Sequence, residues 1–156
     1  MARRPRIDTI RRAVARKHIE INDQRLGEIC QASAVHRLRS LMFDSKYRAV
    51  DLETWKLILK RSQIDKYRYR SDIKDCDNFV AALFGTIPLE YGVNTVGLVI
   101  DYSGRHAYNA LVYYDTDITD LKIALVEPQS DEFVTTDDRL SSHEAYKAQR
   151  GMILWG

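Results

Sequence analysis

Between Thr95 and Gln129 three β-branched or aromatic runs follow one another: TVGLVID (95–101), HAYNALVYYD (106–115) and LKIALVEPQ (121–129), separated by SGR and TDITD. Runs of this kind between short polar turns read as consecutive strands. Connections so short join antiparallel neighbours, because a parallel return needs a crossover of about a dozen residues or more. The C-terminal part of the chain is thereby committed to an antiparallel sheet. GMILW (151–155) reads as its final strand, preceded by a short helix around SSHEAYKAQ.

The preceding residues carry helical spacing. Ile7, Ile10 and Val14 make MARRPRIDTIRRAVARKH a basic amphipathic helix after a short flexible start. QRLGEICQASAVHRLRSLMF (24–43) continues with Leu26, Ile29, Cys30, Val35, Leu38, Leu41 and Met42 on a broadly helical stripe. In DLETWKLILKR, Asp51 stands as N-cap to a short helix with Leu52, Trp55 and Leu59 on one side. RSQIDKYRYRSDIKD is polar and reads as an extended approach, its Tyr67 and Tyr69 packing the loop onto the body. Cys76, Phe79, Val80, Leu83 and Phe84 then recur as one helix face, with Gly85 as its stop and TIPLEYG as a turn-rich connection. Helices followed by an antiparallel sheet make an α+β fold.

A chain of 156 residues is enough for one compact domain. Its charge is uneven. Residues 1–18 hold seven Arg and Lys against one acid, Asp8, for +6, while the remaining 17 basic and 21 acidic residues give −4. We therefore divide the chain into a basic N-terminal arm, 1–18, and a single domain, 19–156. Such an arm can grip nucleic-acid phosphates or an acidic partner, or simply be solvated; an Arg-rich, acid-poor beginning also suits an organelle transit peptide. No run approaches the roughly 18 apolar residues of a membrane span, so no membrane partner is expected. Two cysteines, Cys30 and Cys76, are too few for a disulfide framework, and the N-terminus lacks an apolar secretory segment. The expectation is a reducing, cytoplasmic setting. His18, His36, His106 and His143 lie in no zinc-binding spacing, and no metal site is expected.

The residues with chemistry in them surround Cys76. In DIKDCDNFV the thiol sits between Asp75 and Asp77. With Asp75 as N-cap, Cys76 falls in the first helical turn, where unsatisfied N–H groups and the positive end of the dipole favour a thiolate. The flanking aspartates oppose it, so a partner must accept the proton. His106 heads a strand face shared with Tyr108, Ala110 and Val112, and Glu127 is in phase with Leu121, Ile123 and Leu125. An antiparallel hairpin turning at 117 and 118 sets Gln129 opposite His106 and Glu127 opposite Tyr108; a register two residues away sets Glu127 opposite His106. Both keep carboxylate and imidazole on one face. Pro128 points the other way and ends the pairing. Cysteine, histidine and carboxylate follow the nucleophile, base and orienter logic of acyl transfer, with the Cys76 N–H as an oxyanion donor.

DCDNFVAALF, GRHAYNALVYY and LVEPQ, in that order, resemble the core of the papain-like and transglutaminase-like cysteine hydrolases. The nearest likeness is to the peptidase domain of the MOA-related agglutinin family of Marasmius oreades, which has members in phages. It runs from about Asp51 to the final ILW. The resemblance implies a papain-like α+β architecture, with helices and a Cys-bearing helix packed on an antiparallel sheet. It further implies a cysteine peptidase or amidase with Cys76 as nucleophile, His106 as base and Glu127 as orienter, a peptide or amide substrate, and a host-cytoplasm or virion location for a viral member. The alternative is a catalytically silent domain of the same fold, serving as a viral structural or nucleic-acid- or protein-binding module. Papain-like enzymes place an oxyanion glutamine six residues before the cysteine; here that position is Arg70, so support would come from Gln63, Tyr69 or Gln129. The family's lectin module has no counterpart in these residues, so sugar binding is not carried over. The chemistry itself requires no cofactor. The family's peptidase activity depends on calcium (Ca2+), for which the acidic loop DTDITD offers carboxylates, though it lacks the glycine and terminal glutamate of an EF-hand loop.

Overall fold

The computed structural model describes residues 5–134, 136 and 145–156. Among these residues four helices, α1 (Ile7–Lys17), α2 (Asp23–Gln31), α3 (Leu52–Ser62) and α4 (Cys76–Tyr91), accompany eight strands. These are β1 (Ile19–Asn22), β2 (Arg39–Met42), β3 (Lys46–Asp51), β4 (Val96–Asp101), β5 (His106–Asp115), β6 (Asp120–Glu127), β7 (Glu132–Val134) and β8 (Gly151–Trp155). The fold is α+β around one mixed sheet of order β1-β3-β5-β4-β8-β2, with β6 pairing β5 and β7 pairing β6.

The expected antiparallel run is present: β4 pairs β5, β5 pairs β6, and β8 returns antiparallel to β4. Two pairings are parallel, β2 on β8 and β3 on β5. Strand β5 is buried on both faces. Tyr108, Ala110 and Val112 join the core beneath α2 with Leu26, Ile29, Cys30 and Trp155. Leu111 enters the opposite core, with Ile10 and Val14 of α1, Trp55 and Ile58 of α3, and Phe79, Leu83 and Ile87 of α4. A strand covered on both sides is expected to read as nearly continuous apolar sequence, which HAYNALV does.

The structure differs from the sequence expectation in several elements. The helical stripe over 24–43 ends at Gln31, where the Ser33 backbone N–H and hydroxyl both donate to the Cys30 carbonyl and turn the chain. Leu41 and Met42 then lie on β2, drawn into pairing with Leu154 and Trp155. The Cys76 helix runs past Gly85 to Tyr91, so TIPLEYG is helical; its stop is Gly92, at φ 68° in the left-handed region that glycine adopts without penalty. Strands β1, β3 and β7 escaped the pattern because they are short or half-exposed. The approach to Cys76 holds a short 3-10 turn at 64–66 and an Arg70–Lys74 bridge. Its Tyr67 and Tyr69 are 62% and 51% exposed rather than packed, with the Lys74 ammonium 5.1 Å from the Tyr67 ring centroid. Of the expected helix around SSHEAYKAQ, 141–144 lie outside the described residues, and 145–149 are not helical. No helix among the described residues is long and apolar enough to cross a membrane.

Candidate active site

Cys76 is the first residue of α4 and its side chain is partly buried. Asp75 is the N-cap, its backbone N–H donating to Asn78 Oδ1 at 3.2 Å. A hydrogen bond to Asp77, with the charge of that neighbour, raises the Asp75 carboxyl above its ordinary range.

Helix α4 follows β5 in the same direction. Asn109 Nδ2 donates to the Val80 carbonyl at 3.2 Å and to the Gly97 carbonyl at 3.1 Å, fixing the early part of the helix over the early part of the strand. At the far end α4 leads through Gly92 to Thr95, whose carbonyl accepts from Val112 N–H. Cys76 and His106, the first residues of their elements, therefore stand at the same end of the sheet. They approach from opposite faces, since α4 covers the Asn109 and Leu111 side whereas His106 alternates with Tyr108 and Ala110. Among the described residues no hydrogen bond joins Cys76 Sγ to the His106 ring.

The β5–β6 register pairs Asn109 with Val126, the first of the two alternatives, so Glu127 continues opposite Tyr108. Glu127 reaches His106 on the diagonal: His106 Nε2 lies 2.7 Å from Glu127 Oε2, with the side chains 17% and 10% exposed. With Nε2 donating to the carboxylate, Nδ1 is the ring nitrogen left to accept a proton. Glu127 also accepts the Tyr146 hydroxyl on Oε2 at 2.8 Å and the Gln129 backbone N–H on Oε1 at 3.1 Å. Burial on its own would raise the carboxyl; the bonds from His106, Tyr146 and Gln129 outweigh it and hold Glu127 below its ordinary value. Tyr146 stands edge-on to the His106 ring, 5.3 Å away at 74°, and burial and Glu127 push its phenol upward.

Beneath this pair lies Asp101, 1% exposed. Its Oδ1 accepts Gly104 N–H at 3.0 Å and the Ser103 hydroxyl; Oδ2 accepts Ala148 N–H at 2.7 Å and Tyr108 OH at 3.1 Å. Burial opposes its charge, but the donors, Ser103 first, keep Asp101 below the usual carboxylate range.

Of the sequence-selected residues, the structure brings His106 and Glu127 into contact and sets Cys76 at their end of the sheet. Gln129 takes part through its backbone. Gln63 is the left-handed C-cap of α3, and Tyr69 lies in the exposed approach. Among the described residues none of the Gln63, Tyr69 or Gln129 side chains bonds to Cys76 or His106. An open groove of about 280 Å³ runs beside the first turns of α4, lined by Ile64, Tyr67, Lys74, Asn78, Phe79 and Ala82. Tyr146, Tyr108 and Asp101 were not singled out from sequence. Asp101 had a readable signal, an acid closing an apolar strand before a Ser-Gly turn, the setting of an Asx-turn; Tyr146 had none, because its partner is 19 residues away.

In the DTDITD loop two of the three carboxylates already have cationic partners. Asp115 is paired with Lys122 at 2.7 Å and accepts Asp117 N–H, and Asp120 is paired with Arg25 at 2.9 Å. No three His, Cys, Asp or Glu among the described residues are grouped to hold a metal.

No family model matches the chain, and no curated protein matches it in sequence. Solved structures do. The chain is similar to PSL1a in a complex with E64, at 19% identity and a TM-score of 0.64 over 86% of this chain. It is equally similar to Polyporus squamosus lectin bound to a human-type influenza-binding epitope, at 19% identity and a TM-score of 0.63 over 86%. It spans about half the length of each, 51% and 49%. The likeness is one of fold, shared with fungal lectins.

Proposed function

We propose that the protein is a cysteine hydrolase of papain-like architecture, acting on peptide or amide bonds through Cys76, His106 and Glu127. The observation that carries this reading is the buried His106–Glu127 pair at 2.7 Å, which leaves Nδ1 without a hydrogen bond among the described residues, at the end of the sheet where α4 begins with Cys76. His106 Nδ1 accepts the thiol proton as sulfur attacks the substrate carbonyl carbon. The oxyanion that forms is met by the Cys76 backbone N–H at the helix start. On collapse the C–N bond breaks, the imidazolium gives its proton to the departing amine, and a thioester remains on Cys76. Water, deprotonated by His106, then attacks the thioester and the thiolate leaves. Glu127 stays ionised and orients the ring. A similarly folded protein, PSL1a, is known as a complex with E64, which makes E64 a natural probe of this site.

The lectin names of the neighbours support a second reading, a catalytically silent binding domain. Alkylation separates the two. Cys30, 1% exposed and with its thiol pushed up by burial, serves as an internal control. With E64 or iodoacetamide near neutral pH we expect Cys76 to be modified selectively, and His106→Ala to slow this by about 10²-fold, the low end for losing a general base. Cys76 reacting at the rate of a simple thiol, unchanged by His106→Ala, would overturn the catalytic reading and leave the silent one.

A further inference from the structure

The segment from Ala145 to Arg150 has no regular secondary structure, yet its last three residues are hydrogen-bonded to the β4–β5 turn and its first packs against it. Ala148 N–H donates to Asp101 Oδ2 at 2.7 Å, and the N–H groups of Gln149 and Arg150 donate to Ser103 Oγ at 3.1 and 3.3 Å. In return Tyr102 and Ser103 N–H donate to the Arg150 carbonyl at 2.9 and 3.2 Å. Gly104 presses against Ala145 so closely that a side chain there would collide with its carbonyl. Ala148 is held at φ 49°, a left-handed conformation that a non-glycine residue keeps only where its surroundings enforce it. The outcome is the placement of one ring: Tyr146 is wedged between His106 and Tyr108, 5.3 and 5.2 Å away and edge-on to both.

We propose that residues 145–150 are a strap anchored by Asp101 and Ser103, and that Tyr146 is a positioning residue, its hydroxyl locking the Glu127 carboxylate against His106 Nε2. The inference rests on reading His106 as the base. Three donors occupy Glu127: Gln129 N–H holds Oε1, while Tyr146 OH and His106 Nε2 share Oε2. The carboxylate then cannot turn away from the ring, and the ring keeps its proton on Nε2. Without the phenol hydroxyl, Oε2 has the imidazole alone, and the torsion that aims it is freed. Among the described residues, Tyr108 on β5, Asp101 on β4 and Glu132, the register partner of Glu127 across β6 and β7, also face this cluster.

The test uses the full chain carrying Tyr146→Phe, which keeps the wedged ring, and Ser103→Ala, which loosens the strap without touching Glu127. Two readouts are followed against pH: the Glu127 carboxyl carbon and His106 ring nitrogens by NMR, and the rate of Cys76 alkylation by iodoacetamide. In Tyr146→Phe the Glu127 midpoint moves up, and the acid limb of the alkylation profile follows by about half to one pH unit, a roughly 3- to 10-fold loss at fixed pH on that limb. Ser103→Ala moves both in the same direction by less. A Glu127 midpoint unchanged in Tyr146→Phe overturns the proposal, even if thermal stability falls. Should wild-type Cys76 lack any His106-dependent reactivity, the nucleophile assignment fails, while the NMR titration still decides the role of Tyr146.

Discussion

Glu127 shows what a single position can and cannot disclose. Its phase with Leu121, Ile123 and Leu125 marks a carboxylate on an apolar face, where an unpaired charge is too expensive to keep; that argument already points to a partner on the facing strand, and His106 is that partner. The phenol that completes the arrangement is invisible to the same reasoning, because strand periodicity places only residues within strands and Tyr146 lies in an irregular segment. The depressed carboxyl makes a pH prediction. A group whose folded value lies below its unfolded value contributes stability that is present above the ordinary carboxylate range, about 4.3, and is lost as pH falls through the folded value. Urea unfolding between about pH 3 and 7 should therefore weaken on acidification more steeply in the wild type than in Glu127→Gln, which cannot titrate. Identical pH slopes in the two proteins would refute the assignment of that stability to Glu127.

At the level of elements, strands were the more legible and helix ends the less. The runs at 96–101, 106–115 and 120–127 were readable because each is a β-branched or aromatic run closed by polar turns, whereas β1 carries one buried residue and β3 three, set among charges. Helix α4 shows why boundaries fail. Both Gly85 and Gly92 qualify as a stop by residue type, and what separates them is backbone conformation: Gly92 is left-handed at φ 68°, whereas Gly85 sits inside the helix in open space. This makes a paired prediction. Gly85→Ala should stabilise the protein by about 0.5–1 kcal/mol through helix propensity, while Gly92→Ala should destabilise it by about 1 kcal/mol through left-handed strain. Thermal denaturation of the two variants checks this; shifts of equal sign would mean that α4 ends elsewhere.

For the whole molecule, the basic N-terminal stretch combines two sequence signals, a charge that suits an arm and an Ile7, Ile10, Val14 spacing that suits an amphipathic helix. Only the second bears on whether one face is buried. In the folded chain Ile10 is 0% and Val14 4% exposed, both in the core shared by α3 and α4. Arg11 Nε donates to the Glu90 carbonyl at 2.7 Å, and Lys17 pairs with Asp51, the cap of α3, at 3.0 Å. Two of its cations are thus spent on the protein itself, while Arg6, Arg12 and Arg16 face outward. Among the described residues of this stretch, these outward arginines are the ones placed to meet a polyanion. Removing residues 1–18 would abolish such binding for the wrong reason, since uncovering Trp55 and Ile58 undoes the core. Ile10→Ala should cost about 2–4 kcal/mol, the range for a buried large-to-small change. Arg12→Glu with Arg16→Glu should leave stability within about 0.5 kcal/mol, as for exposed positions, and reduce both the affinity for a DNA duplex and the slope of that affinity against salt. Retained, salt-independent DNA binding in the charge-reversed protein would eliminate α1 as a phosphate-binding surface.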